Sequence, residues 1–488
     1  MDADVAMVER VEVATAGAAE AVPPGYTRVE GAPFPLLRAS LSTGLTLWFA
    51  PKSGASSVYA SVMIHAGGRY EDAHTSGASH MLEHMLFVGT ERWDKEEVRA
   101  VIDRAGGQDN GFTGQEQVGY YAWLPEGRIP VALDWLDQVV FHPTLPASEF
   151  DREREVVFEE RDGHDPLVIR LFREAGLPMS LWESRERALF PGSSRSRRQI
   201  GDERSLDGLT VEALRTFYQA HYTAQNADLV VVGDEEPAAV LALAEATFAG
   251  IPAGPRLTPP HDFGDIKLGG RRNVWEPMVS NRCEVSFGAR GPALDAPDAA
   301  AAEVLSTYLD RVLEADLREQ RGITYGVRAR LSSQSDSGEF TVSVETDCAH
   351  KDEVADAIEG LVVAVAAGEL DRPRFEEARS ARAGTEAIYL DGATSWGDAV
   401  QNELAHAAPF STPVTAAALA EVTPEAMAEV ARRWLPPNQT LIWFSRGVLT
   451  VAQAWGVGLA IGVPLLGWLG RKLWRWRQAR RARRVAAP

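Results

Sequence analysis

The sequence predicts an α+β protein of two related α/β half-units. Each is an antiparallel-rich sheet flanked by helices; a proline-rich linker joins them, and a C-terminal transmembrane helix follows. Three observations carry this. Segments of period-two apolar alternation interleave with segments of helical spacing along the 488 residues. The strand, small-residue turn and helix order of VYASVMIHAGGRYEDAHTSGASHMLEHM, from Val58, returns in RCEVSFGARGPALDAPDAAAAEVLSTYLD, from Arg282, as a faint internal duplication. Between the two copies, IPAGPRLTPPHDFGD (251–265) holds four prolines.

The elements follow in order. Residues 1–25 form an Ala-rich lead without a secretory signal, because Asp2, Asp4 and Glu9 stand where a positive region is needed. The first domain, 26–250, begins with strands Leu45–Pro51 and Val58–His65. A turn at Ala66, Gly67 and Gly68 leads to a helix over Gly77–Val88, with Ser76 as N-cap and Gly89 as its stop. A second helix, Lys95–Ala105, precedes the strand pair Gln108–Thr113 and Gln117–Leu124. An amphipathic helix over Ile129–Val140 and a charged one from Ser148 to about Asp162 come next. Strand Leu229–Val232 and a helix through Phe248 close the domain. After the linker, 251–268, the second domain spans 269–446 and carries no metal motif.

Composition narrows the function. Cys283 and Cys348 are the only cysteines and lie far apart, so they read as buried small hydrophobes rather than a disulfide framework or zinc site. The net charge is −20; the tail 471–488 carries eight basic and no acidic residues, leaving 41 basic against 69 acidic groups in residues 1–470. An acidic body argues against nucleic acid as substrate and is compatible with cationic peptides. The uncharged stretch 447–470 is long enough to cross a bilayer, with Trp455, Trp468, Trp474 and Trp476 near the interfaces. The expectation is therefore a membrane-anchored protein. The basic tail and the missing signal point to opposite sides for the body.

The chemistry starts at His80-Met81-Leu82-Glu83-His84, the HExxH zinc signature read backwards. Residues four apart on a helix point the same way, so both imidazoles can close on one metal while Glu83 reaches a water beside it. A hydrolytic zinc needs a third protein ligand. Glu153 and Glu160, seven apart on the charged helix, share a face; spacing does not choose between them or exclude Glu159.

With these residues the chain resembles the pitrilysin/insulinase family of zinc metallopeptidases, in particular its two-domain bacterial members similar to the mitochondrial processing peptidase. The run Glu153-Arg154-Glu155-Val156-Val157-Phe158-Glu159-Glu160 matches the family's distant-glutamate segment. The resemblance implies one Zn2+ per chain on His80, His84 and Glu160, Glu83 as general base, and Glu153 as a supporting carboxylate. Gly106, Gly107, Asn110, Thr113, Tyr120 and Tyr121 resemble the family's edge-strand segment, which implies peptide pairing along Asn110, Phe112 and Thr113; Gly111 departs from the usual Ala. HYTAQNADLVVVGD, with His221, Tyr222, Asn226 and Asp234, resembles the end of the family's first domain. Arg318 and Tyr325 match an Arg-x6-Tyr element that implies a hold on the substrate carbonyl. The family's four half-units around a chamber imply a homodimer or a related partner subunit for this two-unit chain. The expected function is a membrane-tethered zinc metalloendopeptidase for peptides or unfolded polypeptide segments. A non-catalytic assembly subunit is the alternative, against which the intact His80, Glu83, His84 and Glu160 set counts. His65, His74, His142 and His164 read as surface or loop residues. Arg outnumbers Lys 44 to 5, which suits a bacterial source.

Overall fold

The computed structural model describes residues 21–161, 163–164, 180–389, 392–404, 414–453 and positions 456, 468, 471 and 472. The first sheet contains β1 (Thr27–Arg28), β2 (Leu37–Ser40), β3 (Thr46–Pro51), β4 (Ser57–Ile64), β5 (Gln108–Thr113), β6 (Val118–Pro125) and β7 (Ala227–Gly233). Around it lie α1 (Ala78–Leu86), α2 (Lys95–Ala105), α3 (Ile129–Phe141), α4 (Ala147–Glu160), α5 (Leu181–Leu189), α6 (Glu203–Gly208), α7 (Val211–His221) and α8 (Pro237–Thr247). The second sheet contains β8 (Arg271–Val279), β9 (Arg282–Gly291), β10 (Thr324–Ser333), β11 (Gly338–Asp347) and β12 (Thr440–Leu449). Its helices are α9 (Ala299–Leu313), extended by a π-helical turn over Glu314–Gln320, then α10 (Lys351–Ala367), α11 (Arg372–Tyr389), α12 (Ala393–Glu403), α13 (Ala416–Ala420) and α14 (Pro424–Trp434).

Both sheets follow one plan. From one edge, the strand order is β5-β6-β4-β7-β3 in the first and β10-β11-β9-β12-β8 in the second, and β2 and β1 extend the first sheet beyond β3. The pairing senses repeat too: β3 with β7 and β8 with β12 are parallel, and the other corresponding pairs are antiparallel. The duplication faint in sequence is thus explicit in topology. The chain forms a mixed α/β structure with two sheets.

Side-chain alternation decides what each sheet face meets. On β4, Val58, Ala60, Val62 and Ile64 enter the core under α1 and α3, while Tyr59 and Met63 face the opposite side. That opposite side is covered from the other half of the chain: Ala393, Val400 and Leu404 pack on Trp48, Tyr59 and Val230. In return, Leu181 and Leu189 of α5 pack on Val274, Leu441 and Trp443 of the second sheet. Each sheet borrows a cover from the other half.

An ionic clamp adds to this exchange. The Arg69 guanidinium, fully buried, grips Asp336 with two hydrogen bonds of 2.8 Å, donates to the Pro260 carbonyl at 2.6 Å and contacts Glu116. Residues from the β5–β6 turn, the proline-rich segment and the β10–β11 turn therefore meet on one side chain.

Three expectations need correction. No helix among the described residues is long and apolar enough to cross a membrane. Gly447 and Leu449 end β12 beside β8, so the stretch 447–470 begins as paired strand; most of the remainder lies outside the described residues. The membrane anchor and the localisation built on it are not supported. Cys283 and Cys348 form a disulfide across 65 residues, because β11 pairs with β9 and places Thr346 opposite Cys283, two residues before Cys348. His65 is buried, its Nε2 2.6 Å from an Asp228 carboxylate oxygen that Arg256 also reaches at 2.9 Å.

Candidate active site

The site is built on α1, whose two faces do different work. Met81, Leu82, Met85 and Leu86 are fully buried in the first core. His80, Glu83 and His84, at positions i, i+3 and i+4, share the remaining face. The helix begins differently from the sequence expectation. Gly77, at φ 92°, precedes the first helical residue, and the cap comes from a distant side chain rather than Ser76. The Glu71 carboxylate accepts the N–H groups of Gly77 at 2.8 Å and Ser79 at 2.7 Å, satisfying donors that the first turn leaves open. Burial pushes the Glu71 carboxyl up to about 7 against the pull of these hydrogen bonds.

Helix α4 crosses α1 and ends at Glu160. Its Oε2 lies 3.5 Å from His80 Nε2 and 3.4 Å from His84 Nε2. Tetrahedral bonds of about 2.1 Å would set ligand atoms roughly 3.4 Å apart, so these three atoms fit a zinc ion with a fourth position left for water or substrate. Ligand atoms of His80, His84 and Glu160 all fall within 4.8 Å of one another, and they form the one such trio among the described residues. Geometry resolves what spacing left open between Glu153, Glu159 and Glu160. Burial, then the neighbouring His84, lowers His80 to about 4, which keeps its imidazole neutral and able to ligate.

Glu153 stands one layer out. Its Oε2 is 3.7 Å from His84 Nδ1, and its Oε1 accepts a 2.5 Å hydrogen bond from Lys95 Nζ. Lys95, on α2, was not singled out by sequence; the only hint was a cation on the helix following the motif.

Glu83 points at the edge strand. Thr113 Oγ1 donates to its Oε2 at 2.6 Å, so Thr113 holds the carboxylate rather than facing the open side of β5. Burial pushes the Glu83 carboxyl up, opposed by Thr113 and His84 and assisted by Glu160. The departure at Gly111 has its explanation here: a Cβ at that position would sit 2.9 Å from Glu83 Cγ and 3.1 Å from a Phe87 ring carbon. Among the described residues β5 pairs only with β6, which leaves its outer edge open, with Asn110 and Phe112 exposed on the face away from Glu83.

Arg318 and Tyr325 are not brought to this cluster. Arg318 pairs with Glu314, and Tyr325 is 81% exposed under the Arg282 guanidinium. Neither has a hydrogen bond, ion pair or ring contact with His80, Glu83, His84 or Glu160 among the described residues.

A model of the insulinase family (peptidase family M16) matches residues 49–175, and a model of the peptidase M16 inactive domain matches residues 208–382. An uncharacterised zinc protease of Mycobacterium bovis is 30% identical over 315 residues, covering 62% of this chain and 69% of that protein. The chain belongs to the M16 peptidase family.

Further likenesses cover from 44% to 84% of the chain. An uncharacterised zinc protease of Mycobacterium leprae is 26% identical over 364 residues, 74% of this chain and 80% of that protein. The mitochondrial-processing peptidase beta subunit of Lentinula edodes is 28% identical over 214 residues, 44% of each. A crystal structure of a protease from Helicobacter pylori matches at a TM-score of 0.74 and 19% identity, covering 84% of this chain and 99% of that one, a likeness of fold. The split between the two M16 models parallels the structure, in which the described part of the second half offers no metal-binding trio.

Proposed function

We propose that this M16 chain is a zinc-dependent metalloendopeptidase that hydrolyses peptides or unfolded polypeptide segments, enclosed in a chamber completed by a second copy or a related partner subunit. The trio His80, His84 and Glu160, spaced as the corners of a tetrahedral site beside a buried carboxylate, carries this reading.

Held by these three residues, zinc would supply the Lewis acidity that polarises a carbonyl and acidifies water to a pKa of about 7. The chain's own groups do the rest. A peptide laid along the open edge of β5 gains main-chain hydrogen bonds and is drawn taut past Glu83. Glu83, fixed by Thr113, takes the proton of the attacking water and returns it to the leaving amide nitrogen. Its carboxyl, raised by burial, is suited to both halves of that transfer. Glu153, anchored by Lys95, holds His84 in its ligating orientation.

The exposed Tyr325 and Arg318 fit a site closed from outside. In this proposal they meet substrate across the chamber, in the active site of the opposing unit, where each donor to the developing oxyanion contributes roughly 3 kcal/mol. Zinc removal and return is the test. Dialysis against a chelator should abolish cleavage of a quenched unfolded-peptide library, and one equivalent of zinc should restore it. Cleavage that persists in fully zinc-free protein would refute the mechanism.

A further inference from the structure

The proposed active site opens onto a cleft of about 570 Å³ that the reaction itself does not use. Glu160 and Gln115, on the turn leaving β5, line it from the first half, and Arg330, at the far end of β10, lines it from the second. Its chemistry runs against that of the whole chain, whose net charge is −20.

Five arginines face this cleft: Arg161, Arg185, Arg195, Arg198 and Arg330. Three are already engaged. Arg161 lies 2.6 Å from Glu203, Arg185 lies 2.5 Å from Glu339, and Arg195 donates to the Ser337 carbonyl at 3.1 Å. The other two are held less firmly. Arg330 is exposed, and its side chain has no ion pair or hydrogen bond among the described residues. Arg198 lies 3.9 Å from Glu183, the outer limit of an ion pair, and 5.9 Å over the Trp182 ring.

The acids of the cleft do not offset these charges. Glu160 belongs to the metal trio and Glu339 to Arg185. Burial, then the adjacent Glu339, pushes the Glu186 carboxyl well up, which favours its neutral form. A substrate carboxylate entering the cleft would find the guanidinium forks of Arg330 and of the loosely held Arg198, the donor geometry that matches it best.

Position along a peptide follows from β5. Gln115 stands two residues beyond Thr113, which holds Glu83. At about 3.3 Å per residue, the cleft is reached by a side chain roughly two to four residues from the bond being cut.

We infer that this cleft is a specificity subsite that selects an acidic side chain of the substrate through Arg198 and Arg330. The inference rests on the peptidase reading and names its substrate class. Peptides carrying Asp, Ala or Lys at each of the four positions on either side of the scissile bond would be compared by kcat/KM with the full chain. At one position Asp should exceed Ala by about tenfold, with Lys poorest. That acidic-to-neutral ratio should collapse in Arg198→Ala and Arg330→Ala, and Arg330→Lys should recover part of it.

Binding gives a second readout independent of turnover. Zinc-loaded Glu83→Gln protein should hold a fluorescent Asp-containing peptide about tenfold more tightly than its Ala counterpart, and the two arginine substitutions made in it should erase the difference. Equal use of the three peptides, a preference for Lys, or a preference that survives both substitutions would overturn the subsite. Should no peptide be cleaved, the peptidase reading fails by itself. The binding difference then decides the subsite alone, and equal binding sinks it.

Discussion

At the scale of single residues, the site depends on carboxylates doing four different jobs. Glu160 faces His80 and His84, Glu83 accepts from Thr113, Glu153 stands behind His84, and Glu71 caps the N-terminus of α1. Sequence made the first two legible, because helical spacing and the family resemblance both bear on them. Spacing offered Glu153 as an alternative to Glu160, and only the resemblance made it a supporting carboxylate; both lie on the same face of α4, and the way two helices pack, not their spacing, decides which one reaches both imidazoles. Glu71 was invisible, since nothing in a loop's composition says that its side chain will fold back under the next helix. For Glu153→Gln we expect zinc affinity to fall about 10- to 100-fold while the fold persists, because Lys95 loses its charged partner and His84 loses its orienting one. Competitive chelator titration measures this; an unchanged affinity would remove Glu153 from the site.

At the scale of elements, the strand and helix signals reproduce α2 and β5 residue for residue and place β4, β6 and α3 within one residue at each end. Strong alternation and a glycine stop at Gly106 explain that agreement. Pairing was less legible. The Cys283–Cys348 disulfide follows from the register between β9 and β11, which no local pattern encodes. Edge strand β5 is where element and chemistry meet, because Gly111 leaves space that Glu83 occupies. A Gly111→Ala substitution should push Glu83 away from Thr113 and lower kcat/KM roughly tenfold, with zinc content unchanged. Steady-state kinetics beside metal analysis checks it, and wild-type kcat/KM would show that Glu83 tolerates the shift.

At the scale of the whole molecule, two half-units of one topology exchange covers and share the Arg69 clamp. The repeat was faintly legible from two matching stretches; the exchange was not, since nothing in the local sequence of α5 or α12 says which sheet a helix covers. Burial pushes the Asp336 carboxyl up, but hydrogen bonds from Arg69 and His261 prevail and hold it at about 2. A carboxyl lowered on folding stabilises above its ordinary value, near 4, and loses that contribution as pH falls through about 2. Asp336→Asn should therefore cost on the order of 1 kcal/mol at pH 7, allowing for the partial exposure of this carboxylate. The deficit relative to wild type should shrink between pH 4 and pH 2. Urea melts across that range read it, and a deficit constant with pH would deny the ion pair its part.

The central claim is that His80, His84 and Glu160 hold zinc while Glu83 moves the proton. One paired measurement on Glu83→Gln tests it most directly: zinc per chain by elemental analysis and peptide hydrolysis on the same sample. The account predicts one zinc, as in wild type, with turnover reduced at least about 100-fold for loss of the general base. Retained turnover, or loss of zinc together with activity, would contradict it.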